Sequence, residues 1–419
     1  MKKIWIIISG LLVIAFTFAL LQFNCELLEE KVLVETVEPE IIIPDSTAYF
    51  DSLYAPLGSD LDAFFEKKFK ATTFNGTVLF AERGRIIFEK SYGFADWKKK
   101  DSLTIESTFN LASASKPFTA VAILQLAEQG KINLTDPVEK YIPSFPYTGI
   151  DIHQLLSHRS GLSKYDHFCD QPDSIWPDKH KSIHNADVIS IMNAIVPQVA
   201  YSPNTHHYYS NTNYMLLAQI VEVASGLTFK EYLQTNIFDP CEMTSTVLYT
   251  RDNKDELINP TKGYTGNYTE CIDIYLNGAI GDKGIYSNVN DMLKFDQALY
   301  DGTLLSDESL ELAFTEHNNQ KNNGQNYGYG FRLTYDEAKG KIPSHTGWWK
   351  GFRTYFVRVL SKQQTIVVLS NIKRGPFFNV NDLVYRTRVK NENFNDRADI
   401  LEKAIYNIKF NKDYFEKNF

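Results

Sequence analysis

The sequence predicts an α+β domain in which one antiparallel sheet is built from two distant parts of the chain. Residues 74–80 and 86–92 are rich in β-branched and aromatic residues, and the Arg83-Gly84 pair between them predicts a hairpin turn. Further apolar strand segments follow between residues 329 and 370. The region between these two parts shows helical periodicity, so we predict a mostly helical insertion that flanks the sheet.

Several helices are predicted by apolar residues at helical spacing that stop at a glycine. They are residues 115–129 with Gly130, residues 213–225 with Gly226, and residues 289–300 with Gly302. A glycine after the last turn is typical of a helix C-terminus because it adopts the left-handed conformation without strain. A terminal helix is predicted at 398–408, which closes a domain running from 59 to 410.

The N-terminus has a different character from the rest of the chain. Two lysines precede an apolar run at residues 4–23, which at roughly 20 residues is long enough to cross a bilayer as a helix. This pattern is typical of an export signal or of a single membrane anchor. No A-x-A cleavage site follows, which favours an uncleaved anchor over 1–24 with the domain outside the cytoplasm, on the periplasmic side. Lipidation at Cys25 is the alternative, although bulky Phe23 departs from the usual signal.

Composition excludes some classes of function. The 419 residues carry a net charge of −8 with acids and bases well mixed, so no basic stripe suggests nucleic acid as a partner. Residues 25–58 contain acids and three prolines and are predicted to be an irregular linker. Outside the membrane, one pair among Cys169, Cys241 and Cys271 could form a disulfide. No zinc-binding pattern is present, and we predict neither a metal nor a cofactor.

Ser113 and Lys116 form an S-x-x-K pattern at the predicted start of a helix. Three-residue spacing places them on one helix face, where a lysine of lowered pKa can activate the poor nucleophile that a serine hydroxyl is. The helix N-terminus also favours negative charge beside Ser113. Ser370 begins a second match, but that one ends an apolar strand, and Ser115 lacks the one-turn spacing.

Tyr209 and Asn211 lie in a polar segment just before the second predicted helix. A phenol near a lysine can take and return a proton, and an asparagine can hold a substrate amide. The other interpretation is a loop that only caps the helix. Tyr286 begins a similar Y-x-N match before the next helix.

His345, Thr346 and Gly347 precede the strand segment TYFVRVL and are followed by Trp348. A glycine lets a substrate lie against the backbone, and a polar residue or a hydroxyl on a strand edge can bind a carboxylate or orient a carbonyl. A histidine satisfied within the core is the other interpretation.

Together these patterns resemble the serine β-lactamases and penicillin-binding proteins, whose motifs S-x-x-K, Y-x-N and [KH]-T-G occur in this order. The tyrosine form resembles the branch of class C β-lactamases, DD-carboxypeptidases and related esterases. The segments LLSHRSGL at 155–162, YSNTNYMLLA at 209–218 and GDKGIYS at 281–287 also resemble this family. The resemblance covers about residues 60 to 372 and implies a β-lactamase/transpeptidase-like fold.

The resemblance implies a role for each matching residue. Ser113 would be acylated, while Lys116 and Tyr209 would share the proton transfers and Asn211 would hold the substrate or the lysine. The backbone N–H groups of Ser113 and Trp348 would form the oxyanion hole. The substrate-binding residues would thus be Asn211, His345, Thr346, Gly347 and Trp348. His158 and Arg159 would be structural, in a packing turn away from the nucleophile.

His345 stands where β-lactamases often have lysine, which removes a fixed positive charge because histidine titrates near neutral pH. We therefore expect a serine hydrolase acting through an acyl-enzyme on an ester, amide or small peptide. A D-alanyl-D-alanine carboxypeptidase and a β-lactamase are the alternatives within enzymes. A non-catalytic penicillin-binding sensor that has lost deacylation is the alternative from another class.

Overall fold

The computed structural model describes residues 46–170, 175–176, 178–317, 326–336, 339–373 and 384. The chain divides into two units, residues 1–52 and 53–419, and every described strand belongs to the second. None of the described helices is both long and apolar enough to cross a bilayer. The predicted anchor over 1–24, Cys25 and the predicted terminal helix at 398–408 lie outside the described residues.

Helix α1 (Ser46–Lys70) corrects the prediction of an irregular linker reaching residue 58. Residues 46–58 are helical although Pro56 lies among them. Tyr54, Leu57 and Leu61 are buried at helical spacing, so an apolar stripe starts before the point where the sequence pattern became clear. Proline removes one backbone donor, and the packed stripe on either side keeps the helix continuous.

The central sheet confirms the prediction of an antiparallel sheet made from two distant parts of the chain. Its described strand order is β2-β1-β12-β11-β10-β9-β8, with two smaller sheets beside it. The strands are β1 (Gly76–Glu82), β2 (Arg85–Tyr92), β3 (Phe94–Asp96), β4 (Asp101–Ser102), β5 (Phe109–Asn110), β6 (Val247–Leu248), β7 (Ile285–Ser287), β8 (Asn326–Tyr327), β9 (Arg332–Asp336), β10 (Gly340–Trp349), β11 (Phe352–Val359) and β12 (Gln364–Ser370). The pairing of β1 with β12 joins the two parts.

The inserted region is mostly helical, as predicted. The remaining helices are α2 (Lys116–Glu128), α3 (Ile152–Leu156), α4 (Tyr165–Phe168), α5 (Asn185–Ile195), α6 (Asn211–Ser225), α7 (Phe229–Leu233), α8 (Val289–Ala298) and α9 (Asp307–Ala313). Gly130 and Gly226 have positive φ just after α2 and α6, which confirms both predicted stops. Helix α2 is buried along most of its length, and Phe118 stacks on Phe295 of α8 with ring centroids 3.9 Å apart.

Strand β10 is among the elements that the sequence prediction missed, and it carries the third motif. Residues 340–344 pair with β9 on one side, whereas residues 344–349 pair with β11 on the other. The stretch from His345 to Trp349 therefore pairs with a strand on one edge only among the described residues. Pro343 and the glycines at both ends interrupt the apolar alternation that would have predicted a strand.

The disulfide considered from the sequence does not form among the described cysteines. Cys169, Cys241 and Cys271 are all free thiols, and the first two are buried. They pack in the domain as small apolar side chains.

Candidate active site

Ser113 lies on a turn whose backbone is strained. Ala112 before it has a φ of 51°, a conformation that costs a residue with a Cβ some free energy. The Asn110 side-chain oxygen accepts a hydrogen bond from the Ala112 N–H at 2.8 Å and fixes this turn. The helix proper begins at Lys116, so Ser113 occupies the 3₁₀ turn (Ala112–Ser115) that leads into α2 rather than α2 itself. Ser113 is half-buried between buried neighbours.

Position 347 requires glycine for a reason other than the close approach of substrate that its motif suggested. A Cβ on this residue would lie 2.1 Å from the carbonyl oxygen of Leu111. Only glycine lets β10 approach the segment that carries Ser113 so closely. The contact places Thr346 and Trp348 beside the nucleophile turn, and the oxyanion role of the Trp348 N–H stays a prediction.

Lys116 is completely buried, and its amine is held by two acceptors. Nζ donates to the side-chain oxygen of Asn211 at 3.0 Å and to the backbone carbonyl of Asp282 at 2.8 Å. The same nitrogen lies 5.0 Å from the ring centroid of Tyr209. The first two predicted motifs therefore meet, and Asn211 positions the lysine.

Beneath Lys116 lies a buried charge network that sequence reasoning missed. Lys283 donates to the hydroxyl of Tyr165 and lies 3.6 Å from a carboxylate oxygen of Asp282. Tyr165 in turn donates to the Asp282 carboxylate at 3.1 Å. Burial lowers the pKa of Lys283, and the Asp282 carboxylate opposes that shift. Lys116, Asn211, Tyr165, Asp282 and Lys283 are called the floor of the site.

Tyr209 has a buried hydroxyl with no hydrogen-bond partner among the described residues. Its ring packs against His158 with centroids 4.3 Å apart, and the guanidinium carbon of Arg332 lies 5.1 Å from its centroid. Buried polar groups are nearly always paired, so an unpaired one at a cleft indicates a group that awaits water or substrate. This environment fits the predicted proton role of Tyr209.

His158 does not lie away from the nucleophile, as the resemblance had implied, but directly behind Tyr209. Its Nδ1 accepts a hydrogen bond from the Ser210 N–H at 3.3 Å. Burial, with His207 and Lys116 adding to it, holds the pKa of His158 well below its usual range. The neutral ring therefore carries its proton on Nε2, which has no partner in the described part of the chain. Nε of Arg159 donates to the side-chain oxygen of Asn204 at 2.7 Å, and the structural role of Arg159 stays a prediction.

His345 is fully buried and neutral, which corrects the expectation of a group that titrates near neutral pH. Burial, Arg332 and Lys116 hold its pKa well below the usual value. Its Nδ1 lies 2.9 Å from the carbonyl oxygen of Thr346, so that nitrogen carries the proton. Nε2 accepts from the hydroxyl of Tyr327 at 3.1 Å. His345 thus supports the strand from inside, while half-buried Thr346 faces the other way along β10.

Arg332 on β9 is the functional candidate that the motifs did not indicate. Its guanidinium lies over the ring of Tyr209 and contributes to the low pKa of His345. Its Nε is buried without a partner, and no carboxylate pairs with it among the described residues. A fixed positive charge is therefore present beside the third motif although position 345 does not supply it. Four side chains around Tyr209 each contain a buried atom without a partner among the described residues, and they are called the wall of the site: His158, His207, Tyr209 and Arg332.

The competing sequence matches have structural roles. Ser370 is buried in β12 and donates to the carbonyl of Asn75 at 2.9 Å. Ser115 is buried, and its hydroxyl accepts from the Ile285 N–H at 3.2 Å. Tyr286 is buried in β7. None of these hydroxyls has the half-exposed position of Ser113.

The site combines a serine on a strained turn with a buried lysine one turn later whose amine is fixed. This arrangement is typical of an enzyme in which the substrate acylates the serine. Together with the sheet and its helical insertion it defines a serine hydrolase of the β-lactamase/transpeptidase-like fold. The chain belongs to the Beta-lactamase family, a model of which matches residues 61–389.

Individual relatives agree with this assignment. Penicillin-binding protein 4* of Bacillus subtilis (strain 168) is 37% identical over 330 residues, which cover 74% of this chain and 71% of the relative. Teichoic acid D-alanine hydrolase of Staphylococcus aureus (strain NCTC 8325 / PS 47) is 27% identical over 342 residues, or 80% of each chain. Among solved structures, the penicillin binding protein from Bacillus halodurans superposes with a TM-score of 0.64 at 25% identity, over 77% of this chain and 95% of that one.

Proposed function

We propose that this serine hydrolase cleaves D-alanyl peptides or esters whose leaving group carries an anion, with a peptide C-terminal carboxylate as the first candidate. The name of one relative, teichoic acid D-alanine hydrolase, supports a D-alanyl substrate. The unpaired guanidinium of Arg332, beside the proposed proton donor Tyr209, supports the anion. Because Tyr209 would protonate the departing group, a cation next to it lies where the leaving group's charge would fall.

In this mechanism the Ser113 hydroxyl attacks the carbonyl while Lys116 accepts its proton, and an acyl-enzyme forms. The N–H groups of Ser113 and Trp348 would stabilise the oxyanion. Tyr209 would return a proton to the leaving group, and water would then release the acyl group. Asn211 would keep the lysine amine in place throughout.

Arg332 replaces the charge that position 345 lacks, and this changes the expectation drawn from the sequence. Carboxylate recognition does not require a cation at His345 if the guanidinium supplies it. A carboxypeptidase is therefore favoured over an esterase for neutral substrates. A β-lactamase would use the same cation, so it remains the second candidate.

The specificity is tested with two peptides that end in D-alanyl-D-alanine, one with a free carboxylate and one with a C-terminal amide. Arg332→Gln should lower kcat/KM for the free acid by about 30-fold or more, because a charge-assisted hydrogen bond contributes about 2 kcal/mol, and should change amide turnover little. Arg85→Gln on β2, near the opposite edge of the sheet, is the control. An equal loss on both peptides would refute an anion site at Arg332.

The nucleophile is tested separately. A fluorescent penicillin or a fluorophosphonate should label Ser113, as mapped by mass spectrometry, and Ser113→Ala should abolish the adduct. Labelling at Ser115 or Ser370 instead would overturn the assignment. Steady release of D-alanine would distinguish an enzyme from a penicillin-binding sensor, whose adduct would persist, and steady hydrolysis of nitrocefin would indicate a β-lactamase.

We also propose that the domain acts outside the cytoplasm, tethered through the apolar run at residues 4–23. An uncleaved anchor predicts that the mature protein keeps its N-terminal methionine and stays in the membrane fraction. A lipidated protein would instead begin at Cys25, and Cys25→Ala would then release or misprocess it. Intact mass of the purified membrane fraction separates the two.

A further inference from the structure

Beyond the third motif, the surface next to the Ser113 turn carries an exposed aromatic ring with two cations close to it. The side chain of Trp348 is 56% exposed. The guanidinium carbon of Arg353 lies 5.3 Å from its ring, and Nζ of Lys373 lies 5.0 Å from it. Lys350 follows in the turn between β10 and β11. These four residues, with the 80% exposed Ile272, are called the rim.

Backbone contacts join the segments that form the rim into one surface. The N–H of Lys373 donates to the carbonyl of Tyr264 at 2.8 Å. Gly351 approaches Tyr264 so closely that a Cβ would lie 2.3 Å from its backbone nitrogen. Cys271, next to Ile272, is also held there, and its thiol lies in the field of both Lys350 and Lys373. The rim is therefore a fixed surface rather than a set of independent side chains.

The two lysines of the rim carry positive charge that nearby acids among the described residues do not neutralise. Lys350 and Lys373 form no ion pair with any described residue. The neighbouring carboxylates of Glu270 and Asp96 lie 3.1 and 3.2 Å from Lys262, which they share. Arg353 and Lys373 lie near the ring of Trp348, and Nζ of Lys350 lies 5.9 Å from the ring of Trp349, the next residue. Like charges this close repel each other, and an anion that binds among them relieves the repulsion.

We propose that the rim binds a linear phosphate-bearing polymer that runs past the Ser113 turn. Lysine ammonium groups bind phosphate as point charges, and the open face of Trp348 suits the carbon skeleton between successive phosphates. Trp348 also adjoins Gly347, which packs on the nucleophile turn, so the rim continues directly into the site. A membrane surface would favour a ring free to insert, whereas this ring has two cations close to it.

Binding is measured with the full-length Ser113→Ala protein in detergent and fluorescent inorganic polyphosphate, by anisotropy at 50 and 500 mM NaCl. The K350Q/K373Q double variant should bind about tenfold more weakly at low salt, and high salt should abolish the difference. The matched control is K131Q/K254Q, in which Lys131 lies beyond the far end of α2. The control should bind as tightly as the parent protein.

Equal binding by the two double variants, or binding that salt does not affect, would overturn the proposal. So would a rim variant that loses binding to phosphatidylglycerol vesicles while polyphosphate binding is unchanged, which would indicate a membrane surface. In the Ser113 background, the K350Q/K373Q variant should hydrolyse a small neutral D-alanyl ester at the parent rate, which shows that the domain is folded. Because the binding assay needs no turnover, its outcome is independent of the proposed substrate.

Discussion

The floor and the wall of the site are both rich in buried polar groups, but they differ in how these groups are paired. On the floor, Lys116 and Lys283 each have acceptors, and no buried polar side-chain atom lacks a partner among the described residues. On the wall, four side chains each contain a buried atom without one. The floor is therefore organised before substrate arrives, whereas the wall is completed by water or ligand.

The difference has an energetic consequence. Removing one member of a satisfied buried network leaves its partners unpaired in a medium of low dielectric constant, which costs several kcal/mol. Removing an atom that is already unpaired has no such cost. We therefore expect floor substitutions to affect both folding and chemistry. Wall substitutions, apart from those at the proposed proton donor Tyr209, should affect mainly specificity.

Lys116→Met should have the largest effect. The floor would lose the proposed base for Ser113, and we expect the rate of acylation by a fluorescent penicillin to fall by at least about 10³-fold. Lys131→Met, beyond the other end of the same helix, should acylate at the parent rate. Retention of the parent rate by Lys116→Met, with an unchanged circular dichroism spectrum, would show that another group activates the serine.

Lys283→Met tests whether the floor is a coupled network. The substitution leaves the Asp282 carboxylate buried without its cation, and we expect urea unfolding to show a loss of about 3 kcal/mol. The double variant Lys283→Met/Asp282→Asn should recover much of that loss, since the uncompensated charge is gone. A single variant as stable as the parent would mean that the floor is solvated rather than dry.

Much of the fold could be predicted because its elements are locally periodic. The β1–β2 hairpin and the glycine stops of α2 and α6 follow from short-range patterns. Strand β10 could not be predicted because Pro343 and two glycines break its alternation, and only pairing with two neighbours makes it a strand. The start of α1 was hidden by Pro56, whose cost is offset by burial of the apolar stripe.

The site was predictable only where its residues share a motif. Lys116 and Asn211, whose side chains meet at 3.0 Å, came from two linear patterns. The sequence did not indicate Arg332 as a site residue, because a single arginine in a strand is common. Only the tertiary structure shows that its guanidinium lies over the ring of Tyr209. Asp282 and Lys283 were visible in the segment GDKGIYS, but their burial and pairing are tertiary facts.

Acidification should lower the free energy of unfolding through His158 of the wall and through His345, which supports strand β10, more than through the floor. The pKa values of His158 and His345 are held well below normal in the folded protein, chiefly by burial, whereas in the unfolded chain each takes a proton near pH 6.5. Below that pH the unfolded chain binds more protons, so the free energy of unfolding falls by about 1.4 kcal/mol per pH unit for each histidine. Above about pH 6.5 the two histidines are neutral in both the folded and the unfolded chain, so this loss of free energy of unfolding is absent.

Urea unfolding at pH 7.5, 6.5 and 5.5 measures this slope. His345→Asn keeps an acceptor for Tyr327 and should remove one histidine's share of the slope between pH 6.5 and 5.5. An unfolding free energy independent of pH over this range would show that the two rings bind protons in the folded state as they do in the unfolded chain.

The smallest effect is expected at His207, and it gives the sharpest contrast with the floor. Its Nε2 is buried without a partner among the described residues, and its pKa is lowered to about 4, mainly by burial. His207→Phe removes that unpaired atom and keeps ring packing against His158 and Tyr327, so we expect urea unfolding at pH 7.5 to change by less than about 1 kcal/mol in either direction. Acylation by a fluorescent penicillin should stay within about threefold of the parent, since His207 makes no contact with Lys116. A loss as large as that of Lys283→Met would mean that the wall is as fully paired as the floor, through groups that bind His207 in solution.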